Sequence, residues 1–143
     1  MRTMAFGAVG EVFVVVHGHL APSDKEWNRY LDAVMAHYRG RSRARALIVT
    51  QGGAPSPAQW QRLVTHPEIP FHKGKYCVVT DSTFVRGVVQ GMDAPALNPI
   101  SGQYQLFKRG QLLEALRELD ASPGEQRAAI ALVAQLEKTV GER

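Results

Sequence analysis

Apolar residues recur along this chain in two rhythms that take turns, one suited to strands and the other to helices. Residues 12–16 (VFVVV), 46–50 (ALIVT) and 76–79 (YCVV) are short runs rich in β-branched and aromatic residues, and they read as buried strands. Residues 3–6 and 104–107 are shorter strands of the same kind. The first is joined to 12–16 by a glycine-containing turn, 7–10, which predicts an antiparallel hairpin. Between the strands the period changes. Trp27, Tyr30, Leu31, Val34, Met35 and Tyr38 form a helical stripe that Gly40 stops. Trp60, Leu63 and Val64 mark a second helix, ending before Pro67. Phe84, Val85, Val88, Val89 and Met92 mark a third that faces a sheet, with Gly87 and Gly91 spaced to permit close packing. Leu112, Leu113, Leu116 and Leu119 mark a fourth, and Ala129, Ile130, Val133, Leu136 and Val140 a fifth.

Polar residues punctuate these stripes. Ser23 and Glu26 are spaced as a capping box; Ser56 precedes Pro57, and Ser122 precedes Pro123 and Glu125. The order is β-β-α-β-α-β-α-β-α plus a terminal helix. It predicts an α/β fold with a mixed, largely parallel sheet of five strands and right-handed crossovers. The loops expected at 67–74 and 93–102 are too short to divide domains, so one domain, 1–143, is expected. Its core is 3–120, with an additional helix over 122–140 that packs on its own domain or on another chain.

Composition narrows the class. With 143 residues, 45% hydrophobic and 21% charged, the chain is long enough to bury a core and ordinary for a globular protein. No apolar run approaches a membrane span and no signal peptide is visible, so a cytoplasmic protein is expected. The single cysteine, Cys77, excludes an internal disulfide and reads as a small buried hydrophobe. A formal charge of +4 is mildly basic. Arg39, Arg41, Arg43 and Arg45 alternate through one loop; they read as a solvated loop, or as phosphate contacts to nucleic acid, a partner class with no aromatic interleaving to support it.

Candidate chemistry gathers at two elbows after strands. In the first, Thr50 to Pro57, Gly52 and Gly53 form a glycine turn and Ser56 is placed to cap; there is no phosphate-loop lysine. In the second, Asp81, Ser82 and Thr83 precede a helix, with Arg86 one turn in and able to pair with Asp81. These residues read as caps, or as a site where hydroxyls and free amides meet a partner. His17 and His19 alternate and would share a side on a strand, but no HExxH spacing accompanies them. Ser82 lies outside any GxSxG elbow. No catalytic residue, metal or cofactor is expected.

The hairpin into FVVVHG, the spacing of ALIVT and YCVVTDS, and QLFK before the leucine helix resemble the STAS domain of anti-sigma-factor antagonists. The chain is similar, too, to the STAS-like proteins grouped with CRAL-TRIO lipid carriers. The resemblance covers roughly residues 3–120. It implies a non-enzymatic, bacterial-type signalling module that meets a protein partner, such as a kinase or another regulatory protein, or pairs as a homodimer. In that family an Asp-Ser-Ser/Thr-Gly motif after the third strand is phosphorylated on serine. Here only Ser56 corresponds, without the aspartate, and Asp81-Ser82-Thr83 lies one strand later. The expected binding surface is therefore Gly52, Gly53, Ser56, Asp81, Ser82, Thr83 and Arg86. The alternative is a small-ligand or lipid-binding protein using the same edge. A deep apolar pocket between the elbows would favour that alternative, and a filled interior the interaction module.

Overall fold

The computed structural model describes residues 2–70, 73–92 and 104–141, with the side chain of Met92 excluded. A hairpin, β1 (Met4–Val9) and β2 (Val12–His17), opens the chain. It is followed by α1 (Asp24–Tyr38), β3 (Ala44–Thr50), α2 (Pro57–Val64), β4 (Gly74–Val79) and α3 (Thr83–Met92). β5 (Tyr104–Phe107), a 3-10 turn at Arg109–Gln111, α4 (Leu112–Glu118) and α5 (Pro123–Gly141) complete it. The strands lie in the order β1-β2-β3-β4-β5, with β1 antiparallel to β2 and every other pair parallel. This is the α/β fold with a five-stranded mixed sheet, flanking helices and a C-terminal helix that the hydrophobic rhythm predicts.

The caps form as their spacing requires. Ser23 and Glu26 close a capping box on α1, and the Glu26 carboxylate also accepts from the Thr3 hydroxyl at 2.7 Å, fastening the start of β1. Burial raises the Glu26 pKa, but the Thr3 hydroxyl and the backbone N–H groups outweigh it and hold the carboxyl below its usual range. Ser56 and Gln59 form the same box on α2, with Pro57 in the first turn.

Because strand side chains alternate, one sheet supplies two cores. Phe13 and Val15 face α1, α2 and α3 with Trp27, Tyr30, Tyr76, Val78 and Tyr104. Val12, Val14 and Val16 face α4 and α5 with Leu47, Val79, Leu116 and Val133. Ala129, Val133 and Leu136 of α5 are buried in this second core, so the terminal helix packs on its own sheet.

Several expectations are corrected. Gly7 to Val9 belong to β1, not to a turn; the connection is the pair Gly10-Glu11, with Gly10 at φ +57°. β2 extends to His17, which is buried, whereas His19 is exposed beyond the strand, so the two do not share a side. Among the residues of α3 whose side chains are described, only Val85 and Val89 are buried; Phe84 is 71% and Val88 44% exposed. Gly87 faces open space rather than a close neighbour. The loop expected at 93–102, and Phe71 and His72, lie outside the described residues.

Candidate functional site

Both elbows end strands at the same edge of the sheet, and a hydrogen bond joins them. Thr80, buried at the end of β4, donates its hydroxyl to the Thr50 carbonyl at 2.7 Å. Each threonine also shapes its own turn. The Thr50 hydroxyl donates to the Gly53 carbonyl at 2.6 Å and accepts the Gly52 N–H at 3.0 Å; the Thr80 hydroxyl accepts the Ser82 N–H at 3.1 Å. The two glycines serve different needs. Gly52 sits at φ +143°, a backbone that side chains rarely adopt. Gly53 donates to the Gly18 carbonyl, and a Cβ there would come within 2.8 Å of that oxygen.

The elbows enclose space. Between α2 and α3, on the aromatic face of the sheet, lies an open cavity of about 290 Å³. Its floor is Ile48, Thr50, Val78 and Tyr104 of the strands, with His17 at the end of β2. One wall is Gly53 to Pro55 with Pro57 and Trp60; the other is Phe84, Val85, Val88 and Val89 of α3. Phe84 and Val88 are largely exposed and form its rim. Behind it a smaller space of about 60 Å³ reaches Trp27, Tyr30 and Tyr76, and His17, Ile48, Pro55, Trp60 and Tyr104 line both. No Lys, Arg, Asp or Glu lines either space among the described residues.

Two polar groups of this lining are buried without a partner among the described residues. Among the described residues the buried Tyr104 hydroxyl has no hydrogen-bond partner; its ring is set 5.8 Å from Trp60 and 5.3 Å from Tyr76 between centroids. Burial pushes its pKa well above the usual phenol value, so it stays protonated. The Nδ1 of His17 is likewise buried and unpartnered. Burial lowers the His17 pKa to about 4 despite the carboxylate of Glu26, so the imidazole is neutral at physiological pH.

Of the residues expected at the site, only Gly53 lines the cavity. Gly52 shapes the turn beside it. Ser56 caps α2, and the Ser82 hydroxyl accepts the Val85 N–H at 3.2 Å as the cap of α3. Asp81 does not pair with Arg86; its carboxylate accepts the Arg109 backbone N–H at 3.1 Å, tying the elbow to the start of the 3-10 turn. Arg86 donates to the Thr80 carbonyl at 3.4 Å, and Thr83 is exposed in the first turn of α3. The arginine loop lies at the opposite end of β3, where Arg45 pairs with Glu11 at 3.3 Å. His17, Trp60, Val85, Val89 and Tyr104 were missed as lining. The available signals were a histidine ending an otherwise apolar strand and an α3 stripe too wide to bury completely.

Neutral polar groups in an apolar cleft can orient a ligand, but they do not form a nucleophile–base pair. Cys77 adds no reactivity: burial pushes its thiol up to about 12, and it lies on the other face of the sheet. No helix among the described residues is long and apolar enough to cross a membrane. No protein-family model, curated protein or solved structure matches this chain.

Proposed function

We propose that this protein is a non-enzymatic binding module whose cavity between α2 and α3 takes a small apolar ligand. The observation that carries the reading is the cavity itself: about 290 Å³, lined by Ile48, Trp60, Val78, Val85 and Val89, at the strand ends where α/β folds meet ligands. It is roughly twice the ~150 Å³ that accepts benzene in an engineered apolar cavity, so a fused pair of rings or a short acyl chain suits it. The element order also supports the STAS-like, lipid-carrier-like reading.

Regulated interaction with a protein partner is the second reading, favoured by Phe84 and Val88, which leave an apolar strip of α3 open. The two are separable. Titrating ¹⁵N-labelled protein with naphthalene should shift the amides of Gly53, Ala54, Val85 and Val89, and Val88→Trp, which crowds the rim, should weaken that binding at least tenfold. No shift at these amides would sink the ligand reading. If partner capture were then abolished by Phe84→Ser, the interaction reading would stand in its place.

A further inference from the structure

The cavity holds a feature that general apolar binding does not use. Tyr104 is 8% and His17 4% exposed, and each carries a buried polar atom with no partner. Both residues line the main cavity and also the smaller space behind it. A phenylalanine at position 104 would give the same ring contacts with Trp60 and Tyr76 without burying a hydroxyl. Two other buried polar tips on this face are satisfied: the Trp27 indole N–H donates to the Gln59 carbonyl at 2.8 Å, and the Tyr38 hydroxyl to the Arg45 carbonyl at 2.8 Å. Of the three buried, unpartnered side-chain atoms among the described residues, two, on His17 and Tyr104, belong to residues of the cavity wall; the third, Arg45 Nε, lies near the start of β3, away from the cavity.

We infer that the ligand is an aromatic or alicyclic molecule bearing one uncharged hydrogen-bonding group, a hydroxyl or carbonyl, which pairs with the Tyr104 hydroxyl in the cavity wall. The inference rests on the cavity being a ligand site. A hydroxyl or carbonyl oxygen accepts the Tyr104 O–H, and the neutral imidazole offers a further donor or acceptor according to its tautomer. A carboxylate or phosphate is excluded on charge, because no cationic side chain among the described residues lines the cavity to offset its desolvation. The rings of Trp60 and Tyr104 on the floor and walls, and Phe84 at the rim, favour a flat body.

The test is a matched set of probes on the same two-ring frame: naphthalene, 2-naphthol and 2-naphthoate, titrated into the 143-residue chain and followed by amide shifts. A buried neutral hydrogen bond corresponds to about threefold to tenfold in affinity, so 2-naphthol should exceed naphthalene by that factor and 2-naphthoate should bind most weakly. In Tyr104→Phe the ratio of 2-naphthol to naphthalene affinity should fall to about one. Equal affinities for naphthalene and 2-naphthol, or 2-naphthoate binding as well as 2-naphthol, would overturn the head-group inference while leaving the cavity as a ligand site. A preference for 2-naphthol that survives unchanged in Tyr104→Phe would overturn it too. Binding of none of the three would remove the cavity reading and this inference together.

Discussion

One sheet carries two layers of opposite character. Beneath α4 and α5, Val14, Val16, Leu47, Val79, Ala115, Leu116 and Val133 close into an aliphatic core. Beneath α1, α2 and α3, the same strands present Phe13, Tyr76 and Tyr104 to Trp27, Tyr30 and Tyr38. Small branched side chains interdigitate and fill space. Large flat rings span it and leave gaps between them, and here the gap is the cavity. Neighbouring residues in one strand serve both purposes: Val16 is sealed in the closed layer, while His17 lines the open one. Stability and site can therefore be altered separately.

The largest effect should come from the closed layer. Leu116 is 0% exposed, and Leu116→Ala should destabilise the fold by about 3 to 4 kcal/mol, read from urea unfolding. Naphthalene affinity, measured where the variant is still folded, should change less than twofold, because the sheet lies between. A large loss of affinity would mean that the layers are mechanically coupled.

Acid should act through the open layer. The folded His17 pKa is about 4, below the ordinary 6.5, so the unfolded chain takes up the proton first. Stability from this group is full above pH 6.5 and falls as pH drops toward 4. Between pH 7.5 and 5 the loss is about 2 kcal/mol, the slope approaching about 1.36 kcal/mol per pH unit once the pH is below 6.5. His37, lowered chiefly by burial and also by Arg41, though the Glu11 carbonyl and carboxylate oppose it, adds in the same direction. Glu26 and Glu125 are held below the usual carboxylate range and lose stability only at lower pH; for Glu125 the main cause is the Ser122 N–H. Urea midpoints from pH 7.5 to 5 should fall in the parent and flatten in His17→Phe. An unchanged slope in that variant would place the titrating group elsewhere.

The two layers also differ in how far they were legible. The unbroken apolar run of residues 12–16, which marks a strand covered on both faces, and the leucine and alanine stripes of α4 and α5 foretell the closed layer, because a filled core needs only apolar residues at the right period. The caps at Ser23, Ser56 and Ser122 could be read for the same local reason. The site could not. Asp81, Ser82 and Thr83 have the residue types of a functional elbow, yet they are occupied in capping and in holding Arg109. The cavity is a gap between α2 and α3, and a gap has no residue pattern of its own. Its traces are misfits: Phe84 and Val88 left exposed on an apolar stripe, a histidine ending an otherwise apolar strand at His17, and a polar tip buried at Tyr104.

Those misfits give the smallest and most discriminating effect. In a layer built for stability alone, removing a buried hydroxyl would break a hydrogen bond and cost about 1 kcal/mol. The Tyr104 hydroxyl has no bond to break, so Tyr104→Phe relieves an unsatisfied buried group and keeps the ring contacts. The variant should unfold at higher urea, by about 1 kcal/mol of added stability. Stability gained by deleting a polar atom is expected where a position serves binding at some expense to the fold. If Tyr104→Phe instead lowers the urea midpoint, the hydroxyl has a structural partner in solution, and the contrast between a closed layer and an open one loses its polar half.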